Sequence, residues 1–242
     1  KTSVIYIELT GGPTQFETYD PKPEAPAEYR GPFGTVKTCL PGVHFSELMM
    51  EQAKIADKLA IIRSIHHDSS SHDTSSHLTQ TGYYKIGRKG GKNSFPAIAS
   101  TTAKLKGANG SGVPPFVSIA RAMRNGRSGF LGNAYDPFVA EGDPNKDSFK
   151  VGNLSLLPEL ELGRVNDRKG LLTAFDDSRR LVDNTRPSEA IDKFNGRAFD
   201  LLTGDRARKA FDISQEKNET REKYGRNSTG QSLLLARRLV EA

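Results

Sequence analysis

Val4-Ile5-Tyr6-Ile7-Glu8-Leu9-Thr10-Gly11-Gly12-Pro13-Thr14-Gln15-Phe16-Glu17-Thr18-Tyr19-Asp20 decides how the chain is read. A β-rich apolar run breaks into a paired-glycine turn, and hydroxyl and carboxylate side chains come at once after it. An α/β protein presents polar groups in this way at the carboxyl edge of its sheet. Gly11 and Gly12 allow a sharp turn and let a ligand approach the main chain closely. Pro13 stiffens the exit, and Pro21 and Pro23 hold the next segment extended. On the glycines alone an ordinary strand followed by a surface loop is the preferred reading, so the specificity of a site has to come from other residues.

Working outward, residues 45–58 carry Leu48, Met49, Ala53, Ile55 and Ala56 at helical spacing, and Leu59-Ala60-Ile61-Ile62-Arg63-Ser64-Ile65 reads as a buried strand. Strand, helix, strand in that order predicts a parallel crossover that lays the second strand beside the first. Both strands then end on one rim, which brings the loop after Ile65 toward Gly11 and Gly12. A third buried strand is predicted at residues 115–120. Helices are predicted at 95–105, 163–183, 188–204 and 231–241, with a short piece at 205–211 and loop from 125 to 153. The expected fold class is α/β, a mostly parallel sheet with helices on both faces and a helical C-terminal segment. One domain is expected, with a sheet-bearing part at 1–125, a long loop insertion at 126–160 and a mainly helical part at 161–242.

Composition narrows the function. A chain of 242 residues with 35% hydrophobic content can bury one good core, and 23 glycines and 13 prolines mean that much of it is loop. The formal charge of +6 is spread among interspersed acids and bases instead of forming a block, which describes a solvated mixed-charge surface. With no tryptophan, no zinc-finger spacing and no basic-aromatic stripe, nucleic acid is not an expected partner. The lone Cys39 excludes an intrachain disulfide framework. No apolar run approaches the roughly 20 residues needed to span a bilayer. The sequence opens just before a core strand without a charged and apolar leader, and removal of a signal segment is the reading this favours.

The loop after Ile65 is the unusual segment. It runs Ile65-His66-His67-Asp68-Ser69-Ser70-Ser71-His72-Asp73-Thr74-Ser75-Ser76-His77 and holds all but one of the chain's 5 histidines. In a helix that starts near His72, Asp73 and His77 are four apart and share a face, which makes them a chelating pair. His67 and His72 are candidates for further ligands or for acid–base work, because imidazole titrates near neutral pH. Ser69, Ser70, Ser71, Thr74 and Ser75 are candidate nucleophiles, and a helix N-terminus favours a phosphate or sulfate anion. A solvated loop whose serine or aspartate caps the next helix is the alternative for any single residue.

Several segments resemble the large bacterial family catalogued as domain of unknown function 1501. They are the Gly11 to Pro23 stretch, Leu59-Ala60-Ile61-Ile62-Arg63-Ser64, His72, Thr81-Gly82, Gly129-Phe130-Leu131-Gly132, Tyr135-Asp136-Pro137-Phe138, Ala210-Phe211-Asp212, Tyr224-Gly225 and the stretch from Leu235 to Ala242. That family is similar, more remotely, to the alkaline phosphatase and sulfatase superfamily. The resemblance implies an alkaline phosphatase-like fold and an exported, metal-dependent hydrolase of phosphate or sulfate esters. It also implies a divalent ion (zinc, calcium or magnesium) and a small anionic ester or sulfated carbohydrate as substrate. A truncated α/β domain would expose an unpaired sheet edge and apolar surface, which favours association or disorder, and a homo-oligomer is the partner expected from this. The expected metal ligands are Glu17, Asp20, His67, Asp73 and His77. The catalytic candidates are His72, which falls at the sulfatase nucleophile position counted back from Thr81-Gly82, and Thr74. Gly11, Gly12 and Arg63 are the expected substrate contacts.

Two departures accompany the resemblance: Glu17 stands where the family usually has Asp, and Thr10-Gly11 stands where sulfatases carry an acid. The later metal-ligand motifs of the superfamily do not occur before Ala242, so the resemblance implies an incomplete domain, inactive by itself. A non-catalytic secreted binding or scaffold protein that keeps the fold is the alternative function.

Overall fold

Phe45 organises the first part of the chain. In the computed structural model, which describes residues 2–9, 11–86, 93–110, 112–152, 167, 170 and 205–242, Phe45 is fully buried. It lies in strand β2 (His44–Ser46), antiparallel to β1 (Thr35–Lys37), with Val36 opposite Phe45. Ala53 and Ala56 pack on it, and the Tyr19 ring meets it edge-on at 5.1 Å. This hairpin belongs to a unit covering Tyr6–Asp68; a second unit comprises Lys1–Ile5 and Ser69–Ala242.

The ladder explains why the helix expected at 45–58 does not form as one piece. Phe45 and Ser46 are held extended by the pairing, so helical structure begins only after Ser46, whose hydroxyl accepts a hydrogen bond from the Leu48 N–H at 3.3 Å. The chain then makes a 3-10 turn (Glu47–Met49), the single-turn helix α1 (Met50–Ala53) and another 3-10 turn (Ala56–Lys58).

The strands expected at residues 4–9 and 59–65 are absent. Their described residues are irregular, and Val4, Ile62 and Ile65 are 82%, 70% and 78% exposed. Strand propensity expresses how well a side chain fits a pleated surface covered by neighbours, and no ladder forms on either run among the described residues. The predicted crossover between them therefore does not exist here. In place of a mostly parallel sheet, the described residues form two separate two-stranded sheets. The chain is a mixed α and β protein.

In the second unit, β3 (Val117–Ala120) pairs in parallel with β4 (Phe138–Glu141), Val117 opposite Phe138 and Ala120 opposite Glu141. The strand predicted at 115–120 is present; β4 lies in the stretch expected to be loop. Helix α2 (His72–Thr81) starts where the histidine loop predicts, and α3 (Ile98–Lys106) replaces the helix expected at 95–105. Three helices close the chain: α4 (Asp205–Phe211), α5 (Asn218–Tyr224) and α6 (Ser228–Glu241). Leu234 and Leu235 of α6 are fully buried with Ala140, Val151, Ala207, Phe211 and Ile213. The helices expected at 163–183 and 188–204 lie almost wholly outside the described residues.

Polar contacts fix the α5–α6 corner. Buried Arg221 donates from Nε to the Gln231 side-chain oxygen at 2.7 Å, and the Gln231 amide donates to the carbonyls of Arg221 and Gly225, each at 2.8 Å. Asn227 caps α6 by accepting from the Gly230 N–H at 2.9 Å.

Candidate functional site

Helix α2 has almost no apolar residues to bury. Its sequence, HDTSSHLTQT, holds one aliphatic side chain, and the residues it buries are His77 and Gln80. The hydroxyls of Ser75, Ser76, Thr79 and Thr81 bond back to carbonyls of the preceding turn: Ser71, Asp73, Ser75 and His77. Among the described residues Thr74 makes no such bond. Gly82, at φ +79°, ends the helix in the left-handed conformation, and its N–H returns to the Leu78 carbonyl.

His77 is fully buried and engaged at both ring nitrogens. Nδ1 lies 2.8 Å from the Tyr83 carbonyl, and Nε2 accepts from the backbone N–H groups of Ser94 at 3.2 Å and Phe95 at 3.4 Å. Two N–H donors on Nε2 place the ring proton on Nδ1, which donates to Tyr83. Tyr83 stacks on Phe95 at 4.5 Å, and the Phe95 ring meets this imidazole edge-on at 6.2 Å. In this arrangement His77 is a brace between α2 and the main chain of Tyr83, Ser94 and Phe95, with no lone pair left for a metal.

At the other end of α2, Asp73 enters a polar network. Lys85 Nζ lies 3.0 Å from Asp73 Oδ1 and 2.9 Å from Oδ2, with the lysine side chain only 2% exposed. Asn125 donates to the Asp73 carbonyl at 2.9 Å, to Asp73 Oδ1 at 3.2 Å and to the Ser76 hydroxyl at 2.7 Å, and it accepts from Lys85 at 3.3 Å. Asn125 is buried at φ +56°, a left-handed conformation that asparagine tolerates better than most residues. It sits in the loop leaving the carboxyl end of β3, the position at which parallel strands commonly deliver polar groups. Neither Lys85 nor Asn125 is among the residues expected at a site. No motif spacing marks them; only the fold brings them to Asp73.

The remaining expected residues divide between the two units. His72 is exposed on the first turn of α2, and Thr74 is half-buried. In the unit of Tyr6–Asp68, Asp20 is buried and paired with Lys22 at 2.7 Å and with Arg63 at 3.6 Å, while Arg63 also donates to the Tyr19 carbonyl at 2.6 Å. Asp20 and Arg63 are thus brought together. Glu17 is half-buried in a 3-10 turn beside Gly31, and His67 is exposed. Gly11 and Gly12 have φ of +87° and +64°, the backbone state that a paired-glycine turn predicts. Among the described residues, no three His, Cys, Asp or Glu side chains converge as a group that could hold a metal ion, and no helix is long and apolar enough to cross a membrane.

The chain belongs to the family described as protein of unknown function (DUF1501), which matches residues 1–242. No curated protein matches the chain. No solved structure matches it either.

Proposed function

We propose that this member of the DUF1501 family is an exported protein that hydrolyses small anionic esters, phosphate or sulfate, at the start of α2. The observation that carries the reading is His72: an exposed imidazole stands on the first turn of a helix whose next residue, Asp73, is held by buried Lys85 and Asn125. A general base must be accessible to water, and imidazole is the side chain most often used in that role. His72 takes a proton from the water that attacks phosphorus or sulfur. The P–O or S–O ester bond breaks as the new one forms, and the alcohol leaves, taking its proton from the imidazolium or from solvent, with phosphate or sulfate as the other product. The Thr74 hydroxyl is the alternative attacking group, its ester intermediate then hydrolysed by water. The N-terminal N–H groups of α2 favour the anionic ester.

The divalent ion implied by the resemblance does not fit the side chains as they stand. Asp20 is paired with Lys22 and Arg63, Asp73 with Lys85, and both nitrogens of His77 face the main chain. No step of the reading passes through a metal. The same pairings favour a second reading, a secreted binding or scaffold protein without catalysis. Self-association belongs to either reading and is supported by the exposed Val4, Ile62 and Ile65.

A panel of aryl phosphate and aryl sulfate esters, with and without zinc, calcium or magnesium, separates them. Turnover that falls on the order of 10²-fold or more in His72→Ala supports the hydrolase, given the usual weight of general acid–base catalysis. Ester binding without turnover, unchanged in that variant, supports the scaffold.

A further inference from the structure

Lys85 is a cation inside a pocket of oxygen atoms. Its ammonium faces both carboxylate oxygens of Asp73 and the amide oxygen of Asn125, at 2.9, 3.0 and 3.3 Å, and its side chain is 2% exposed. A carboxylate and an amide carbonyl are oxygen donors of the kind that a hard divalent ion such as calcium or magnesium takes, at shorter distances. We infer that the Lys85 ammonium is the built-in counter-cation of Asp73 and occupies the place of such an ion.

The charges support this. Asp73 and Lys85 cancel, and a divalent ion added beside an intact ammonium would meet like charge in a site with little water to screen it. The network offers acceptors to the ammonium, both carboxylate oxygens of Asp73 and the amide oxygen of Asn125. The Asn125 amide nitrogen already donates to Asp73 Oδ1 and to the Ser76 hydroxyl, so the carboxylate is aimed from one side by an amide and from the other by an ammonium. Asp73 therefore becomes a metal ligand only when Lys85 is removed. This inference grows out of the mismatch between the expected ligands and their partners and is independent of ester hydrolysis, because its test reads stability and not turnover.

The test is thermal unfolding of the chain with calcium or magnesium titrated into wild type, Lys85→Ala and the double variant D73N/K85A. The expected result is a saturable rise of roughly 3 °C or more in K85A, the size that ligand binding well above Kd gives for a chain of this length. The rise is absent from wild type and from D73N/K85A. A flat response in K85A, or an equal rise in D73N/K85A, overturns the inference. Should K85A not fold with or without the ions, K85M and D73N/K85M decide. Recovery of the melting midpoint on adding D73N to K85M supports a counter-cation, and no recovery overturns it.

Discussion

The carbonyl oxygen of Tyr224 lies 2.0 Å from the point where a Cβ on Gly230 would stand, and the Gly225 carbonyl lies 2.6 Å from it. The end of α5 thus packs main chain to main chain against the first turn of α6, and only a residue without a side chain fits. Gly230→Ala forces these backbones apart and breaks the registration of Gln231 with Arg221. A loss of about 1–3 kcal/mol, the usual cost of overpacking a filled site, is expected in urea unfolding. An unchanged midpoint would mean that α5 and α6 do not meet as described.

Gly129 is the second such position, for two reasons at once. Its φ is +52°, and a Cβ would stand 2.7 Å from the Phe95 carbonyl carbon. Gly129→Ala takes on the left-handed penalty of about 1–2 kcal/mol in addition to the clash. Because Phe95 carries the Tyr83 stack, the near-ultraviolet circular dichroism of the tyrosines should weaken along with stability. Retention of the full signal would count against the contact.

His77→Phe keeps the ring volume and removes both nitrogens. The Ser94 N–H then loses its partner, at about 1–3 kcal/mol for an unsatisfied group, while the Tyr83 carbonyl keeps the Thr81 hydroxyl at 3.2 Å. Chemical denaturation measures the loss. If His77→Phe is as stable as wild type, the imidazole is not the brace assigned to it.

Asp212 caps the 3-10 turn Ile213–Gln215. Hydrogen bonding from the Ser214 side chain, followed by Gln215 and the Ser214 backbone, holds its carboxyl below the usual value of 3.8 against the opposing effect of desolvation. A depressed folded-state pKa stabilises the protein above the unfolded value, and that contribution is lost as pH falls below 3.8 through the folded value. Asp212→Asn keeps a side-chain oxygen for the Ser214 N–H but cannot titrate. Its stability should therefore fall less steeply than wild type over that acid range, and parallel acid-unfolding curves would refute the assignment.

Helix starts and short amphipathic pieces are legible in the sequence because their signals are local. Ser71 to Gly82 bounds α2, and the piece expected at 205–211 coincides with α4. The strands expected at 4–9 and 59–65 do not form because an apolar run states only what a segment prefers once covered. Whether a neighbour ladders onto it is a matter of tertiary pairing, and here none of the described residues does. Phe45 goes the other way, its helical spacing overridden by a ladder with Val36.

Of the candidate site, what the sequence makes legible is that Asp73 and His77 share one helix. Their helical spacing is correct, yet they serve different neighbours: Asp73 meets Lys85 and Asn125, and His77 meets Tyr83 and Ser94. The separations along the chain from Asp73, 12 to Lys85 and 52 to Asn125, carry no periodic signal. Only the fold supplies them, Asn125 from the loop beyond β3.

Helices α2 and α6 are anchored by different forces, and temperature will tell them apart. Burial of Leu234 and Leu235 draws on the ordering of water around hydrocarbon, which weakens toward freezing, whereas the bonds that Asp73, Ser76 and His77 make do not depend on it in that way. Amide exchange in a chilled sample should therefore quicken in α6 relative to α2, giving a protein whose histidine-bearing helix is its more cold-resistant part.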